Sequence, residues 1–274
     1  MTTSQSEKAE RFAALHNGPG TFVIANAWDA GSARILSTLG FPALATSSGA
    51  AAAMLGKRDG EMTRDESLAN ARAIVAATDL PVSADLEHAF ADSPEAVAAT
   101  FRLAVGAGLV GASIEDATGH QAEPLFPLGQ AAERVAAAVA AVRKLPFPFI
   151  LTARAENFFC GRPDLDDTIK RLQAYEKAGA DVLMAPGLPD LAAVRTVCAS
   201  LSRPFSFTGG IKGRSFPVAA LAEAGVRRVS LATSLYRVAM GALAAAAREV
   251  RDEGGFGYVD RAPTTPELYK WMGN

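Results

Sequence analysis

The sequence is short of cysteine, of histidine, of charge of either sign and of long apolar runs, and each shortage removes a class of protein. Two cysteines in 274 residues, Cys160 and Cys198, cannot build a disulfide scaffold, and neither has a neighbouring cysteine at metal-ligand spacing. The expectation is two reduced thiols in a cytoplasmic protein. No apolar stretch reaches the ~18–20 residues of a membrane span, and the opening MTTSQSEKAERFAALHNGPG is too polar for a secretory signal. Lys and Arg number 27 against 29 Asp and Glu, a net charge of −2 with no dense basic block, which argues against a nucleic-acid or anionic-membrane partner. A small neutral or anionic ligand fits this balance better.

What is present is apolar residue, 49% of the chain, enough to bury a full core. It is arranged as an alternation. Short β-branched or fully apolar runs, bounded by Gly, Pro or polar residues, are each followed by an Ala/Leu/Val pattern at helical spacing. The strand candidates are Thr21–Ala25, Ala43–Ser47, Pro81–Asp85, Gly111–Glu115, Phe149–Ala153, Asp181–Ala185, Pro204–Phe207 and Arg228–Ala232. Helices are predicted over Asp29–Leu39, Thr63–Thr78, Ser93–Ala107, Gln130–Lys144, Leu165–Ala178, Leu188–Leu201, Pro217–Ala224 and Ser234–Asp252, with His16 in a further helix near the N-terminus. Thr63 and Glu66 have the spacing of a capping box, and Gly40, Gly108, Gly179 and Gly225 follow helical patterns where a C-terminal turn needs glycine.

Eight such β/α pairs predict a TIM (β/α)8 barrel, an α/β fold with parallel strands covered on both faces. One domain spans residues 1–274. From about residue 253 a Gly/Pro-rich linker leads to a short terminal helix, Pro266–Met272, of the kind that docks on a neighbouring subunit or hangs free.

A barrel strand presents its last residues at the C-terminal mouth, so polar groups at strand ends are candidate catalysts. The second strand ends in Ser47-Ser48-Gly49, the third in Asp85-Leu86-Glu87, the fourth in Glu115-Asp116 and the fifth in Arg154-Ala155-Glu156. Carboxylates crowded on one mouth must protonate, pair with cations or coordinate a metal. Oxygen-only donors suit a hard divalent ion, Mg²⁺ or Mn²⁺, with Asp85 and Glu87 on one face of their strand; salt bridges to Arg154 and Lys57 are the alternative. The segment Ser47–Asp59 reads as a strand end, an Ala-rich turn and a charged tip, with backbone N–H groups near Ser48 and Gly49 facing an oxyanion. Gly209–Gly213 is a second, weaker candidate for an anion-binding loop. Phe158, Phe207, Tyr236 and Ser206 are candidates for a pocket that selects the substrate's side chain.

Taken in order, these strand-end motifs resemble the isocitrate lyase/phosphoenolpyruvate mutase superfamily across nearly the whole chain. The carriers are Ser48-Gly49, the Leu-Gly-Lys-Arg-Asp stretch ending at Asp59, Ser-Ala-Asp-Leu-Glu at 83–87, Ser-Ile-Glu-Asp at 113–116 and Thr-Ala-Arg at 152–154. The resemblance implies that Asp85 holds Mg²⁺ directly, while Glu87 and Glu115 hold its waters or complete the shell. Glu87 stands where mutase-like members often carry aspartate. By the same resemblance Arg154 clamps a substrate carboxylate or enolate oxygen, Ser48 and Gly49 bind the carboxylate, and Asp59 sits on a mobile loop near the reacting group. A homo-oligomer, dimer or tetramer, with an exchanged C-terminal helix is also implied.

The departures narrow the chemistry. Branches that cleave isocitrate or methylisocitrate carry a Lys-(Lys/Arg)-Cys-Gly-His loop whose cysteine donates a proton. This chain reads Ala117-Thr118-Gly119-His120-Gln121-Ala122-Glu123-Pro124 instead, so the cysteine route is not expected, and the mutase-type lysine and asparagine are missing too. His120 becomes the candidate proton carrier on a loop that could close over the mouth, and His88 borders the metal shell or the rim. The resulting expectation is a Mg²⁺-dependent lyase acting on a C–C bond of a small 2-oxo or 2-hydroxy acid through an enolate, as in decarboxylation of an oxaloacetate-like acid or cleavage of a substituted malate. Phosphonopyruvate hydrolysis or mutase chemistry on a P–C bond is one alternative, and a non-catalytic 2-oxo acid binding protein, for 2-oxoglutarate for example, is another.

Overall fold

The structure, a computed structural model, describes residues 3–273. Eight parallel strands close on themselves in chain order: β1 Phe22–Ala27, β2 Leu44–Thr46, β3 Val82–Asp85, β4 Gly111–Glu115, β5 Ile150–Arg154, β6 Val182–Met184, β7 Phe205–Thr208 and β8 Arg228–Ser230. The barrel predicted from the alternation is therefore present, with strand ends shifted by a residue or two.

Around it run α1 Gln5–Asn17, α2 Ala30–Thr38, α3 Ser48–Met54, α4 Arg64–Ala76, α5 Pro94–Gly106, α6 Leu128–Val142, α7 Leu165–Lys177, α8 Leu191–Ala199, α9 Val218–Glu223, α10 Ser234–Glu253 and α11 Thr265–Met272. The expected capping box forms at the start of α4, where Thr63 accepts from Glu66 N and the Glu66 side chain accepts from Thr63 N. Gly40, Gly108, Gly179 and Gly225 all take positive φ after their helices. One expectation is corrected here: the Ala-rich stretch after β2 is the helix α3 and not a turn. Ser47 caps it by accepting from Ala50 N, and the small side chains of Ala50, Ala51 and Ala52 bury it against the barrel. Part of the Gly/Pro-rich linker also winds into a 3₁₀ turn at Gly257–Arg261.

The main apolar core fills the space between strands and helices, where Phe101, Phe149, Leu172 and Tyr175 are all but inaccessible. A smaller core closes the barrel's N-terminal end. There α1 lays Phe12 against Ile24, Val110, Ile150 and Val182. Gly111 makes this possible, because a Cβ at that position would stand 2.8 Å from both Phe12 Cε1 and Ile150 O.

The barrel interior itself is unusually polar. Branched aliphatic side chains dominate most such barrels, whereas Ser83, Thr152, Ser206, Thr208, Arg228 and Ser230 are buried here. Bonds from Arg228 to Thr152 and Ser206 cross the inside of the barrel from β8 to β5 and β7.

At the C-terminal end, α11 folds back on α2, with Arg34 donating to the carbonyl of Met272. No residue of α10 is buried, and Val238 (70% exposed) and Leu243 (62%) stand on its surface. Among the described residues no helix is long and apolar enough to cross a membrane.

Candidate active site

The C-terminal mouth opens into a cavity of about 390 Å³, and Ser48, Gly49, Asp59, Asp85, Glu87, Glu115 and Arg154 all line it. Seven of the eight site residues read from the sequence are thus gathered in one place. His120 is not among them: it lies exposed on the 117–125 loop, while Ala117 and Gly119, both before it in the chain, line the cavity. That loop is pinned at its base by an antiparallel bridge between Ala117 and Leu125, with Thr118 N donating to Pro124 O.

Arg154, the last residue of β5, is the hub. Its Nη1 meets Asp85 Oδ1 at 2.8 Å, its Nη2 meets Glu115 Oε2 at 3.1 Å, and its Nε meets Glu156 Oε1 at 2.7 Å. Neighbouring strand ends deliver these partners, since Glu115 pairs directly with Arg154 across β4 and β5. Lys57, the other cation considered for the mouth, turns away to Glu66 at 2.5 Å.

Asp85 is the best-solvated acid of the group in hydrogen-bond terms. Ser48 Oγ donates to its Oδ2 (3.1 Å) and Ser113 Oγ to its Oδ1 (3.3 Å), while its own N–H is held by Thr46 Oγ1. Burial alone would raise its pKa, but the Arg154 charge and the donors from Glu87 and Ser48 more than offset this and hold it below the ordinary value.

The other acids go the opposite way. Burial, then the charges of Asp85 and Asp59, push Glu87 up to about 7. Burial raises Glu115 well above its ordinary value and raises Glu156 as well, with Arg154 opposing in both cases. Asp59 is raised by burial and by Asp85. Glu87 also has a positive φ of 50° in a non-glycine residue, and it is followed by Ala89 and Phe90 in the same region. Such backbone strain is tolerated where the surroundings fix a side chain for a task.

Five carboxylates therefore share the cavity with two guanidinium groups, Arg154 and Arg228, and Arg228 contacts none of them. The donors are all oxygen and the charge is in excess, which fits a hard divalent cation that keeps several waters. Among the described residues no three His, Cys, Asp or Glu side chains stand close enough together to hold a metal ion between them. The donor chemistry suits such an ion, but Asp85, Glu87 and Glu115 line the cavity without forming a three-carboxylate cluster.

Several functional groups escaped the sequence reading. Asp116, 2% exposed, braces the site from behind: its Oδ1 accepts from Glu156 N (2.8 Å), and its Oδ2 accepts from Tyr175 Oη (2.5 Å) and Arg171 Nη1 (3.1 Å). Arg171 also donates to Phe126 O, tying the 117–125 loop to the same brace. Cys160 lines the cavity with its Sγ near Pro124 O, and burial pushes its thiol up to about 11. His88, which the sequence placed at the metal shell or the rim, lines the cavity, its pKa lowered by burial and by Arg134.

The expected pocket residues are elsewhere. Phe207 and Ser206 are buried in the barrel wall, Phe158 packs on the core, and Tyr236 meets Trp28 edge to face. Their places are taken by Phe159, Met184 and Pro186. Gly209–Gly213 lies outside the cavity lining, with Gly210 pressed against Ser234. Gly49 is the glycine that matters, because a Cβ there would stand 3.0 Å from Asp59 Oδ2 and from Thr233 Cγ2.

Comparison with known proteins identifies the family. A solved chain from Burkholderia cenocepacia J2315, classed only as a lyase or mutase, superposes with a TM-score of 0.96 at 48% identity, covering 98% of this chain and 97% of that one. An oxaloacetate decarboxylase from Bradyrhizobium diazoefficiens is 31% identical over 209 residues, 74% of this chain and 71% of that protein. A 2-methylisocitrate lyase from Escherichia coli (strain K12) is 30% identical over 212 residues, 74% of this chain and 70% of that protein. The sequence model of the phosphoenolpyruvate phosphomutase family matches residues 12–251, and the chain belongs to that family, within the isocitrate lyase/phosphoenolpyruvate mutase superfamily.

Proposed function

We propose that the protein is a Mg²⁺-dependent carbon–carbon lyase acting on a small 2-oxo or 2-hydroxy carboxylic acid, by decarboxylation of an oxaloacetate-like acid or cleavage of a substituted malate. The observation that carries this reading is the convergence of Arg154, Asp85, Glu115 and Ser48 on one cavity at the barrel mouth. The decarboxylase and lyase named among its relatives support the reaction class.

Asp85, with Glu87 and Glu115 through water, would hold the ion, which supplies Lewis-acid stabilisation of negative charge on oxygen. Arg154 is fixed by three carboxylates, so its guanidinium needs no reorganisation when the enolate oxygen develops charge. The Ser48 hydroxyl and N–H both donate to Asp85 Oδ2 and would turn to a substrate carboxylate once Asp85 engages the ion. Asp59, its pKa raised by burial and by the Asp85 charge, is the acid suited to carry a proton to or from the reacting carbon. The 117–125 loop screens the mouth from water, and its exposed His120 would reach the substrate only by closing.

Lacking the cysteine loop of the methylisocitrate-cleaving branch, the chain favours a smaller acid over a tricarboxylate. Phosphorus–carbon chemistry is the second reading, favoured by the name of the matching family. We also propose that the chain assembles, as a dimer or tetramer, through the uncovered apolar face of α10.

The deciding experiment is a panel of 2-oxo acids and malates, with and without Mg²⁺, read by pyruvate and CO₂ release. Metal-dependent release from one of them is expected. Phosphate release from phosphonopyruvate would select the second reading, and tight binding with no turnover of any acid would make the protein a 2-oxo acid binder.

A further inference from the structure

One wall of the cavity carries a positive charge without a counter-ion. Arg228 is 5% exposed and its head lies inside the barrel, where Nε donates to Ser206 Oγ (2.9 Å) and Nη2 to Thr152 Oγ1 (3.0 Å). Its Nη1 faces His16 Nε2 at 3.3 Å. His16 Nδ1 lies 2.8 Å from the carbonyl of Phe12, which makes it the N–H side of the ring and leaves Nε2 to accept from Arg228. Burial, with the Arg228 charge adding to it, drives the imidazole pKa down to about 3, so the ring is neutral and offers no charge.

No carboxylate lies within 4.0 Å of Arg228 among the described residues. Three protein groups thus meet a head that carries five N–H donors. A buried guanidinium left in this state is costly to keep.

A second observation falls on the same wall. Thr208 is 4% exposed, lines the cavity, and its Oγ1 is buried without any hydrogen-bond partner. The register puts Ser206 beside Arg228 and Thr208 beside Ser230, so the orphaned hydroxyl stands one layer above the guanidinium, toward the mouth.

We propose that this wall is an anion subsite, at which Arg228 and Thr208 receive the distal carboxylate of a short dicarboxylic acid whose oxo- or hydroxy-acid end lies against Arg154 and Ser48. The inference rests on the reading of the site as one for small 2-oxo or 2-hydroxy acids and assigns the residues that would recognise the second carboxylate of an oxaloacetate-like acid or a malate. Thr152, which Arg228 bonds, and Arg154 are two residues apart on β5, about 6.6 Å along the strand, so one short diacid can engage both ends. The distal carboxylate supplies the missing counter-charge to Arg228 and the missing partner to Thr208. A monocarboxylic product, having lost that group or the fragment bearing it, leaves the subsite empty and dissociates more readily.

The test is calorimetric binding of malate and of lactate to the full-length protein in Mg²⁺. The two share the hydroxy-acid end and differ in the distal carboxylate. Loss of a charge-assisted bond predicts that Arg228→Met weakens malate by about 30-fold while lactate holds within about twofold. Arg228→Lys should recover part of the malate affinity, and Thr208→Val should weaken malate by about threefold.

Equal losses for both acids would mean a purely structural arginine and overturn the proposal, as would malate affinity unchanged in the variants. Should Arg228→Met fail to fold, Thr208→Val and Arg228→Lys decide the matter by the same comparison. Wild-type protein that binds both acids equally overturns this subsite alone, whereas wild-type protein that binds neither overturns the broader reading of the site.

Discussion

The two walls of the barrel mouth are built on opposite electrostatic plans. At the ends of β3, β4 and β5, Asp85, Glu87, Glu115 and Glu156 crowd around one guanidinium, and three of the four acids have raised pKa values. At the ends of β7, β8 and β1 the groups are Thr208, Ser230 and Asn26, with no acid among them. Asn26 is fully employed there, donating to Thr46 O and accepting from Ser230 Oγ and Leu231 N. The first wall is held under repulsive load and gains from an added cation; the second is relaxed and carries the uncompensated Arg228 beneath it. On the proposed reading, a ligand that is anionic at both ends and bridges to a metal at one of them would complete both walls together.

The comparison breaks first at Arg154. Arg154→Met leaves three buried carboxylates without their common partner, so turnover should fall by about 10³-fold or more and stability near pH 8 by about 3 kcal/mol. Lowering the pH should restore part of the stability, because the orphaned acids then protonate. On the relaxed wall, Ser230→Ala should cost only about 1 kcal/mol. Urea titrations of the two variants at pH 5.5 and 8 measure the contrast, and equal losses would deny that the walls differ. Next in size, Asp85→Ala should abolish Mg²⁺-dependent ligand binding. Wild-type affinity unchanged by EDTA would remove the cation from the account of the acidic wall.

How much of this was legible in the sequence follows from the range of each interaction. The barrel was legible because strand and helix periodicity are local, and so were the glycine turns and the Thr63 cap. The acidic wall was legible because its members end consecutive strands, and a strand end in a parallel barrel has only one place to point. The relaxed wall was not. Arg228 opens its strand and reads as an ordinary flanking arginine, and only closure of the barrel brings it to Thr152, 76 positions away. Asp116 was seen beside Glu115 but not as a brace, because Arg171 and Tyr175 reach it from α7, 55 and 59 positions on. The Ala-rich stretch after β2 misled in the other direction: small residues suggested a turn, whereas Ser47 caps them into a helix. Phe207 and Ser206 failed as pocket residues because β7 turns Phe207 outward into the main core and Ser206 inward against Arg228.

A smaller effect separates screening from binding. Removing several residues from Ala117–Pro124 leaves the acids and Arg154 in place, since Arg171 and Asp116 hold the base of the loop independently. Turnover should fall by about tenfold or more while ligand affinity changes little. Steady-state rates set against calorimetric affinity on the same preparation provide the check, and parallel losses in the two would make the loop a binding element.

The smallest effect is the most specific to the acidic wall. Glu87 has its pKa raised from 4.5 to about 7, so the folded protein holds this proton more tightly than the unfolded chain does. Its contribution to stability is fully present below about pH 4.5 and is lost as the pH rises through about 7. His16 acts with the opposite sign: its pKa falls from 6.5 to about 3, so its contribution is present above about 6.5 and is lost as the pH falls toward 3. Between pH 5 and 7 the two slopes oppose each other, and the wild-type curve alone conceals both. Glu87→Gln separates them, because His16, at the far end of the barrel, is common to both proteins. Without metal, the variant should melt with the wild type at pH 5 and about 4 °C above it at pH 8. Saturating Mg²⁺ should shrink that gap from the wild-type side, since a cation favours the ionised Glu87 that the variant lacks. A variant that keeps the wild-type difference between the two pH values would move the titration to another acid of the wall, and Glu115, raised by the same burial, would be the next to substitute.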